Sequence, residues 1–161
     1  MKLEQMTIKE LLDTSHTIAE KLFDGQVYPW EVLPNIGAFI EELGPILPEN
    51  EYRKVGKNIW IHKTAKIAPT IAMGGPMIVC AKAEIRQSAF LRGRVIIGEG
   101  AVIGNSCELK NSIIFDGAQV PHFNYVGDTI MGFKAHMGAG AVTSNVKSDR
   151  SLVKVHAEDG D

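Results

Sequence analysis

His122, Tyr125, Arg92 and Lys110 are the side chains whose types and spacing could do chemistry in this chain. Arg92 and Lys110 lie 18 residues apart, and Lys110 precedes His122 by 12. Two cations held together grip a phosphate, the arginine as a planar fork and the lysine as a point charge. An imidazole titrates near neutral pH, so His122 could take a proton from an attacking amine. Tyr125 could hydrogen-bond a hydroxyl or a phosphate. Gly138-Ala139-Gly140 offers backbone N–H groups that could hold a carbonyl oxygen as it gains charge. Each has a plainer reading as well: solvated surface charges, a packing histidine, an interface aromatic, and glycines at chain corners.

The elements that must position these residues are announced by a period of six. Aliphatic residues recur at Ile61, Ile67, Met73, Val79, Ile85, Leu91, Ile97, Ile103 and Leu109. Four residues after each stands a small or apolar one: Ala65, Ile71, Met77, Ala83, Ala89, Val95, Ala101, Cys107 and Ile113. The register then slips by one to Ile114, Val120 and Val126, with Ala118, Asn124 and Ile130, and again to Met131 and Met137. Neither a 3.6-residue helix nor an alternating strand sustains this period. A triangular solenoid does, with six residues per wall and 18 per coil. The first residue of each six points into the prism and the small one fits where the wall turns. Residues 61–142 make about four and a half coils. Residues 18 apart stack on adjacent coils about 5 Å apart, so Arg92 and Lys110 project outward together. His122, two residues past inward-facing Val120, also faces outward.

Before residue 55 the pattern is helical. Thr7 and Glu10 have capping-box spacing, and Ile8, Leu11, Leu12, Ile18, Ala19, Leu22 and Phe23 share a face that ends at Asp24-Gly25. A second helix is expected over 30–43, bent near Pro34 and ended by Gly44-Pro45. The chain therefore divides into a helical cap (1–54), a β-helix (55–146) and a tail (147–161) whose Ser151–His156 alternates like a closing strand. The cap is expected to cover the open coil edge at Ile61.

Net charge is −2 and 22% of the 161 residues are charged, with no long basic run, which argues against a nucleic-acid surface. Cys80 and Cys107 form no paired motif and suit a reducing cytoplasm. No signal-peptide pattern or membrane-length apolar run is visible, so a cytoplasmic location is expected.

The segment VPHFNYVGDTIM (120–131), followed by GFKAHMGAGAVTSN (132–145), resembles the acetyltransferase domain of bifunctional UDP-N-acetylglucosamine pyrophosphorylase/glucosamine-1-phosphate N-acetyltransferase and related archaeal sugar-phosphate enzymes. The likeness extends over about residues 85–146 and rests on His122, Tyr125, Gly127-Asp128, Gly138-Ala139-Gly140 and Asn145, with Arg92 and Lys110 at the family's spacing. It implies a mainly β fold, a left-handed parallel β-helix of hexapeptide repeats with a small N-terminal helical cap. The left hand would be an exception to the usual right-handed crossover. It also implies a homotrimer with active sites in grooves between subunits. Acetyl-coenzyme A would be the co-substrate and no metal would be needed. His122 would be the general base, Arg92 and Lys110 would hold phosphate, and Tyr125, Asn145 and His136 would contact the acceptor sugar. The backbone of Gly138, Ala139 and Gly140 would face the thioester.

The sequence departs from the family pattern at Pro121, where the family has Gly, and at His136, where it has Asn. The later coils that line the family's coenzyme A site have no counterpart before residue 161. The expectation is acyl transfer from coenzyme A to an amino group of a sugar phosphate or nucleotide sugar. The alternative is a non-catalytic sugar-phosphate or nucleotide-sugar binding or trimerisation module, partnered with a separate nucleotidyltransferase. A nucleic-acid or membrane partner is not expected.

Overall fold

The computed structural model of this chain describes residues 2–144, 146–151 and 153–158. The N-terminal segment carries one four-residue turn of α-helix, α1 (Ile8–Leu11), several 3₁₀ turns, and α2 (Ile36–Leu43). The single helix expected up to Phe23 is therefore broken. The Thr7 side chain caps nothing and instead donates to the Glu4 carbonyl at 3.2 Å. Downstream, Asp13 accepts from Ser15 N and Thr17 Oγ1 from Ala19 N, which offers the backbone an alternative to helical bonding. The second helix matches expectation more closely. A 3₁₀ turn over Pro29–Asn35 contains Pro34 and leads into α2, which stops at Gly44.

β1 (Tyr52–Gly56) folds back antiparallel on β2 (Ile59–His62), with Tyr52 opposite His62 and Lys54 opposite Trp60. From β2 the chain winds as a parallel β-helix. β2, β3 (Lys66–Ile67) and β4 (Ala72–Met73) make the first coil. β5 (Met77–Val79), β6 (Glu84–Ile85) and β7 (Phe90–Leu91) make the second. β8 (Val95–Ile97), β9 (Val102–Asn105) and the start of β10 (Glu108–Ile114) make the third. The rest of β10, β11 (Gln119–His122) and the start of β12 (Tyr125–Met131) make the fourth. The rest of β12, a bridge from Gln119 to His136, and β13 (Val142–Thr143) make the last. Pairing runs Ile59–Met77–Val95–Ser112–Thr129, so the coil shortens from 18 residues to 17 after Val95.

The inward set follows the period of six. Ile61, Val79, Ile85, Leu91, Ile97, Ile103, Leu109, Ile114, Val120, Val126 and Met131 form one buried column with Ala83, Ala89, Ala101, Cys107 and Ala118. Met73, at the open end, is 36% exposed. Ile113 and Ile130 depart from the expected inward placement. Each coil loses its residue at the corner before the first wall, where Leu91-Arg92-Gly93-Arg94-Val95 becomes Leu109-Lys110-Asn111-Ser112. A one-residue slip exchanges the two sides of an extended chain. Ser112 therefore takes the interior place, where its hydroxyl donates to the carbonyls of Lys110 (2.9 Å) and Val126 (3.2 Å). Ile113 turns outward.

That outward turn completes a stripe. Trp60, Ile78, Ile96, Ile113 and Ile130 stand in register on the outside of the first wall. The N-terminal segment lies across this stripe, with Ile8, Ala19, Phe23, Val32, Ile36 and Ile40 buried against it. Gly44 has no room for a side chain because the Trp60 ring occupies the place of a Cβ. Phe23 meets Phe115 edge-on at 5.8 Å, and the His16 ring stacks on Phe133 at 3.6 Å. Each fully buried aliphatic or aromatic side chain contributes about 1.5–3 kcal/mol. The helices therefore cover a wall, and β1 covers the open edge at Ile61, presenting charged Arg53 and Lys54. The closing strand expected over 151–156 is not formed by its described residues; Leu152 lies outside them.

Cys107 is inside the prism, while Cys80 sits under the N-terminal segment, where burial pushes its thiol up to about 12. The Cys80 thiol is expected to stay unreacted with a thiol reagent in the native protein at pH 8 and to react on unfolding; rapid native reaction would place it outside this cluster. Ile96→Ala, at the centre of the stripe, is expected to lower unfolding free energy by about 2–5 kcal/mol in urea titration. A loss well under 1 kcal/mol would show that the N-terminal segment does not depend on the stripe.

Candidate functional site

The third wall and its two corners carry Arg92, Lys110, Tyr125 and His122. Leu91 and Leu109 pair in register, so Arg92 and Lys110 follow them onto the same corner, one coil apart. Above Lys110 stands Gly127. Both cations have carboxylate partners. Arg92 Nη1 lies 2.9 Å from Glu108 Oε1, and Lys110 Nζ lies 3.7 Å from Asp128 Oδ2. All four side chains keep solvent contact, between 20% and 43% exposed, and pairs of this kind contribute at most about 1 kcal/mol. A phosphate with two charges could displace the carboxylates without a large penalty. Asp128 also accepts from Asn111 Nδ2 at 2.7 Å, so the corner is held by a carboxylate that bridges two coils.

Of the carboxylate partners, Asp128 belongs to the Gly127-Asp128 pair of the family resemblance, without a role assigned there, and Glu108 was not read from the sequence. Asp128 lies 17 residues after Asn111, one shortened coil, and that spacing was the available signal. Glu108 lies 18 after Phe90 and directly beneath Tyr125.

His122 ends β11, level with Asn105, at the corner between the second and third walls. Its side chain is exposed. The corner above it is the Gly138-Ala139-Gly140 segment. Gly140 N donates to the His122 carbonyl at 3.0 Å. Asn124 binds the two corners together. Its Oδ1 accepts from His122 N at 3.0 Å, and its Nδ2 donates to the carbonyls of Gly138 at 2.7 Å and Ala141 at 3.1 Å. Buried at an interior corner where its neighbours are Cys107 and Ala89, Asn124 satisfies three backbone groups at once. Above this corner the surface is open, since a methyl group added at Gly138 or Gly140 would meet nothing within 4 Å. Gly140 N–H is already used by His122, so among the three glycine-corner N–H groups only those of Gly138 and Ala139 could face a ligand.

Phe123 follows His122 with φ +50° and 64% exposure, in a column whose other members are Ser88, Ser106 and Gly140. A bulky side chain in that backbone region is uncommon, and it stands beside the candidate base.

Tyr125 lies on the third wall between the two corners, its ring packed over the backbone of Gly127, with Cε1 2.7 Å from where a Cβ would be. His136 is exposed on the second wall above Gln119. Asn145 lies outside the described residues. Within one chain, Arg92 and Lys110 share one corner of the third wall and His122 stands at the other. His122 precedes Gly127, the residue above Lys110, by five residues that include the left-handed corner at Phe123, and the cations close the opposite edge of the wall. Twelve residues is two thirds of a coil, so the spacing returns His122 one corner short of Lys110. Among the described residues no three His, Cys, Asp or Glu side chains gather as a metal ion would need, and no helix is long and apolar enough to cross a membrane.

Asn124→Ala is expected to destabilise the protein by about 2–3 kcal/mol, since it strands buried backbone groups. It should also raise amide exchange at Gly140 in a hydrogen-exchange experiment. Unchanged protection at Gly140 would show that the two corners are held by something else.

Comparison with known proteins gives three findings. The family described as "GMPPB C-terminal domain" matches residues 73–158. "Bifunctional protein GlmU" of Methanococcus maripaludis is 33% identical over 134 residues, covering 80% of this chain and 32% of that protein. "Bifunctional sugar-1-phosphate nucleotidylyltransferase/acetyltransferase" of Sulfurisphaera tokodaii is 37% identical over 71 residues, covering 44% of this chain and 18% of that protein. The chain thus spans about a third of the length of the Methanococcus relative. A crystal structure of a perosamine N-acetyltransferase variant from Caulobacter crescentus, solved with CoA and GDP-perosamine, aligns at a TM-score of 0.37 and 22% identity over 53% of this chain and 48% of that one.

Proposed function

This chain belongs to the GMPPB C-terminal domain family, and from that premise we propose that it transfers an acyl group from coenzyme A to the amino group of a sugar phosphate or nucleotide sugar. The observation that carries the reading is the His122 corner: an exposed imidazole beneath an open glycine shelf, with the backbone of both coils locked by Asn124. The name of the Sulfurisphaera relative, which includes an acetyltransferase, supports the acyl chemistry.

In the proposed reaction His122 takes a proton from the acceptor amine as its nitrogen attacks the thioester carbonyl. The carbonyl oxygen gains charge facing the N–H groups of Gly138 and Ala139. The C–N bond forms, the C–S bond breaks, and the imidazolium returns its proton to the departing thiolate. Arg92 and Lys110 hold the acceptor phosphate, exchanging Glu108 and Asp128 for it. Tyr125 and His136 contact the acceptor. Because the cation corner and His122 stand at opposite edges of one wall, the reading pairs the cations of one chain with His122 of another across a groove between copies, as a homotrimer would allow.

Three measurements test this. His122→Ala is expected to reduce acetyl-coenzyme A-dependent loss of free amine by at least about a hundredfold. Lys110→Met is expected to raise KM for the phosphorylated acceptor about tenfold with a smaller effect on kcat. Mixing the His122→Ala and Lys110→Met proteins after unfolding and refolding is expected to restore part of the activity, because some mixed grooves receive both intact residues. Full activity in His122→Ala would sink the reading. No complementation would confine the site to one chain. Ligand stabilisation without any turnover would leave a binding module.

A further inference from the structure

A groove whose lining does not include His122 lies beside the N-terminal segment. It is lined by the N-terminal segment and by residues within 146–151 and 153–155, has a volume of about 840 Å³, and reaches the cation corner at Asp128. Tyr28 and Trp30 line one side with their rings parallel, 3° apart in plane and 4.8 Å between centroids. Trp30 is 39% exposed although it is large and apolar. The turn that presents this pair is fixed in place, since the Glu31 carboxylate accepts from Val27 N at 2.7 Å and Tyr28 N at 2.8 Å. Lys147 and Arg150 line it as well. Arg150 sits at φ +59° in a turn closed by its own N–H to the Lys147 carbonyl at 3.0 Å and by Asp149 accepting from Ser151 N at 2.9 Å. Asp128, in the wall between, is the carboxylate paired with Lys110 at 3.7 Å.

We infer that this groove binds the nucleoside diphosphate part of a nucleotide-linked sugar, with the base on the Tyr28–Trp30 pair, the diphosphate reaching from Arg150 and Lys147 to the Lys110 corner, and ribose or sugar hydroxyls donating to the Asp128 carboxylate that the phosphate releases. Aromatic faces stack on any base, guanidinium and ammonium groups recognise phosphate, and a carboxylate accepts from sugar hydroxyls. The volume falls in the range of small-molecule sites. The groove adjoins the cation corner rather than the Gly138–Gly140 shelf, which assigns it to the acceptor and not to the acyl donor. The inference rests on the proposed acyl-transfer reading only in naming the ligand as an acceptor; binding itself is independent of turnover.

Intrinsic fluorescence tests it on the full chain without any acyl donor. Trp60 is buried at 5% exposure, so quenching by ligand reports on Trp30. UDP or GDP is expected to quench saturably at submillimolar concentration. Trp30→Leu is expected to abolish the quench, with the same binding site then followed by calorimetry at a severalfold weaker affinity. Arg150→Ala, which leaves both tryptophans in place, is expected to weaken nucleotide affinity about tenfold with the thermal midpoint unchanged. Saturation by ADP and coenzyme A but not by UDP or GDP would overturn the assignment in favour of the acyl donor. An equal response to inorganic phosphate alone, equal affinity in Arg150→Ala, or no quenching up to several millimolar would overturn the site, the last being expected if a second copy of the chain fills the groove. Nucleotide binding without acetyl transfer keeps this inference and removes the acyl-transfer reading. Acetyl transfer to a sugar phosphate without nucleotide binding does the reverse.

Discussion

No coil of this solenoid can bury its own inward side chains; each is covered only by the coil above and the coil below, bonded to it in register. Parallel pairing carries Ile59 to Met77, Val95, Ser112 and Thr129 along one wall. That register constrains everything outside as well. A residue's neighbour on the surface is the one a coil away, so Arg92 meets Lys110, Asn111 meets Asp128, and His122 lies beneath Gly140. When the coil shortens to 17 residues, the next coil shortens too, at the same corner, and β10 and β12 remain paired over their length. The polar side chains this brings inward, Ser112 and Thr129, find carbonyl partners in the wall itself, at Lys110 and Gly127.

The outward side of the first wall is apolar over five rungs, and the N-terminal segment spends its own apolar residues on covering it. That leaves the second and third walls as the exposed ones. The candidate chemistry lies on these two walls and at their corners, with the N-terminal segment close enough to contribute Tyr28 and Trp30 beside Asp128. One packing decision thus separates a structural wall from the walls that can meet ligands or other copies of the chain.

On the third wall, function divides between two edges. One edge has paired cations and carboxylates that exchange easily with an anion because all are partly solvated. The other has an exposed imidazole on a backbone that Asn124 makes rigid. In the proposed reaction, a held backbone at His122 and exchangeable ion pairs at Arg92 and Lys110 suit group transfer, where the acceptor must arrive and leave while the reacting geometry is kept.

The period of six, read from the sequence, determined the prism, the inward residues from Ile61 to Leu109, and the stacking of Arg92 on Lys110. It could do so because side-chain direction in a solenoid wall depends only on position within the coil. Three matters were decided by the tertiary structure alone. Between Leu109 and Ile114 the sequence shows that one residue is missing, but Ser112 and Ile113 could each have filled the interior place; the corner at Asn111 chose Ser112, and an apolar stripe resulted. The helical face read over residues 8–23 became short turns, because a segment that must follow a flat wall gains more from burying Ile8, Ala19 and Phe23 there than from continuing a helix. The carboxylates opposite Arg92 and Lys110, and the distance from them to His122, depend on where the corners fall around the coil. Spacing along a chain gives a residue's place on the perimeter, and only the folded perimeter gives the distance across it.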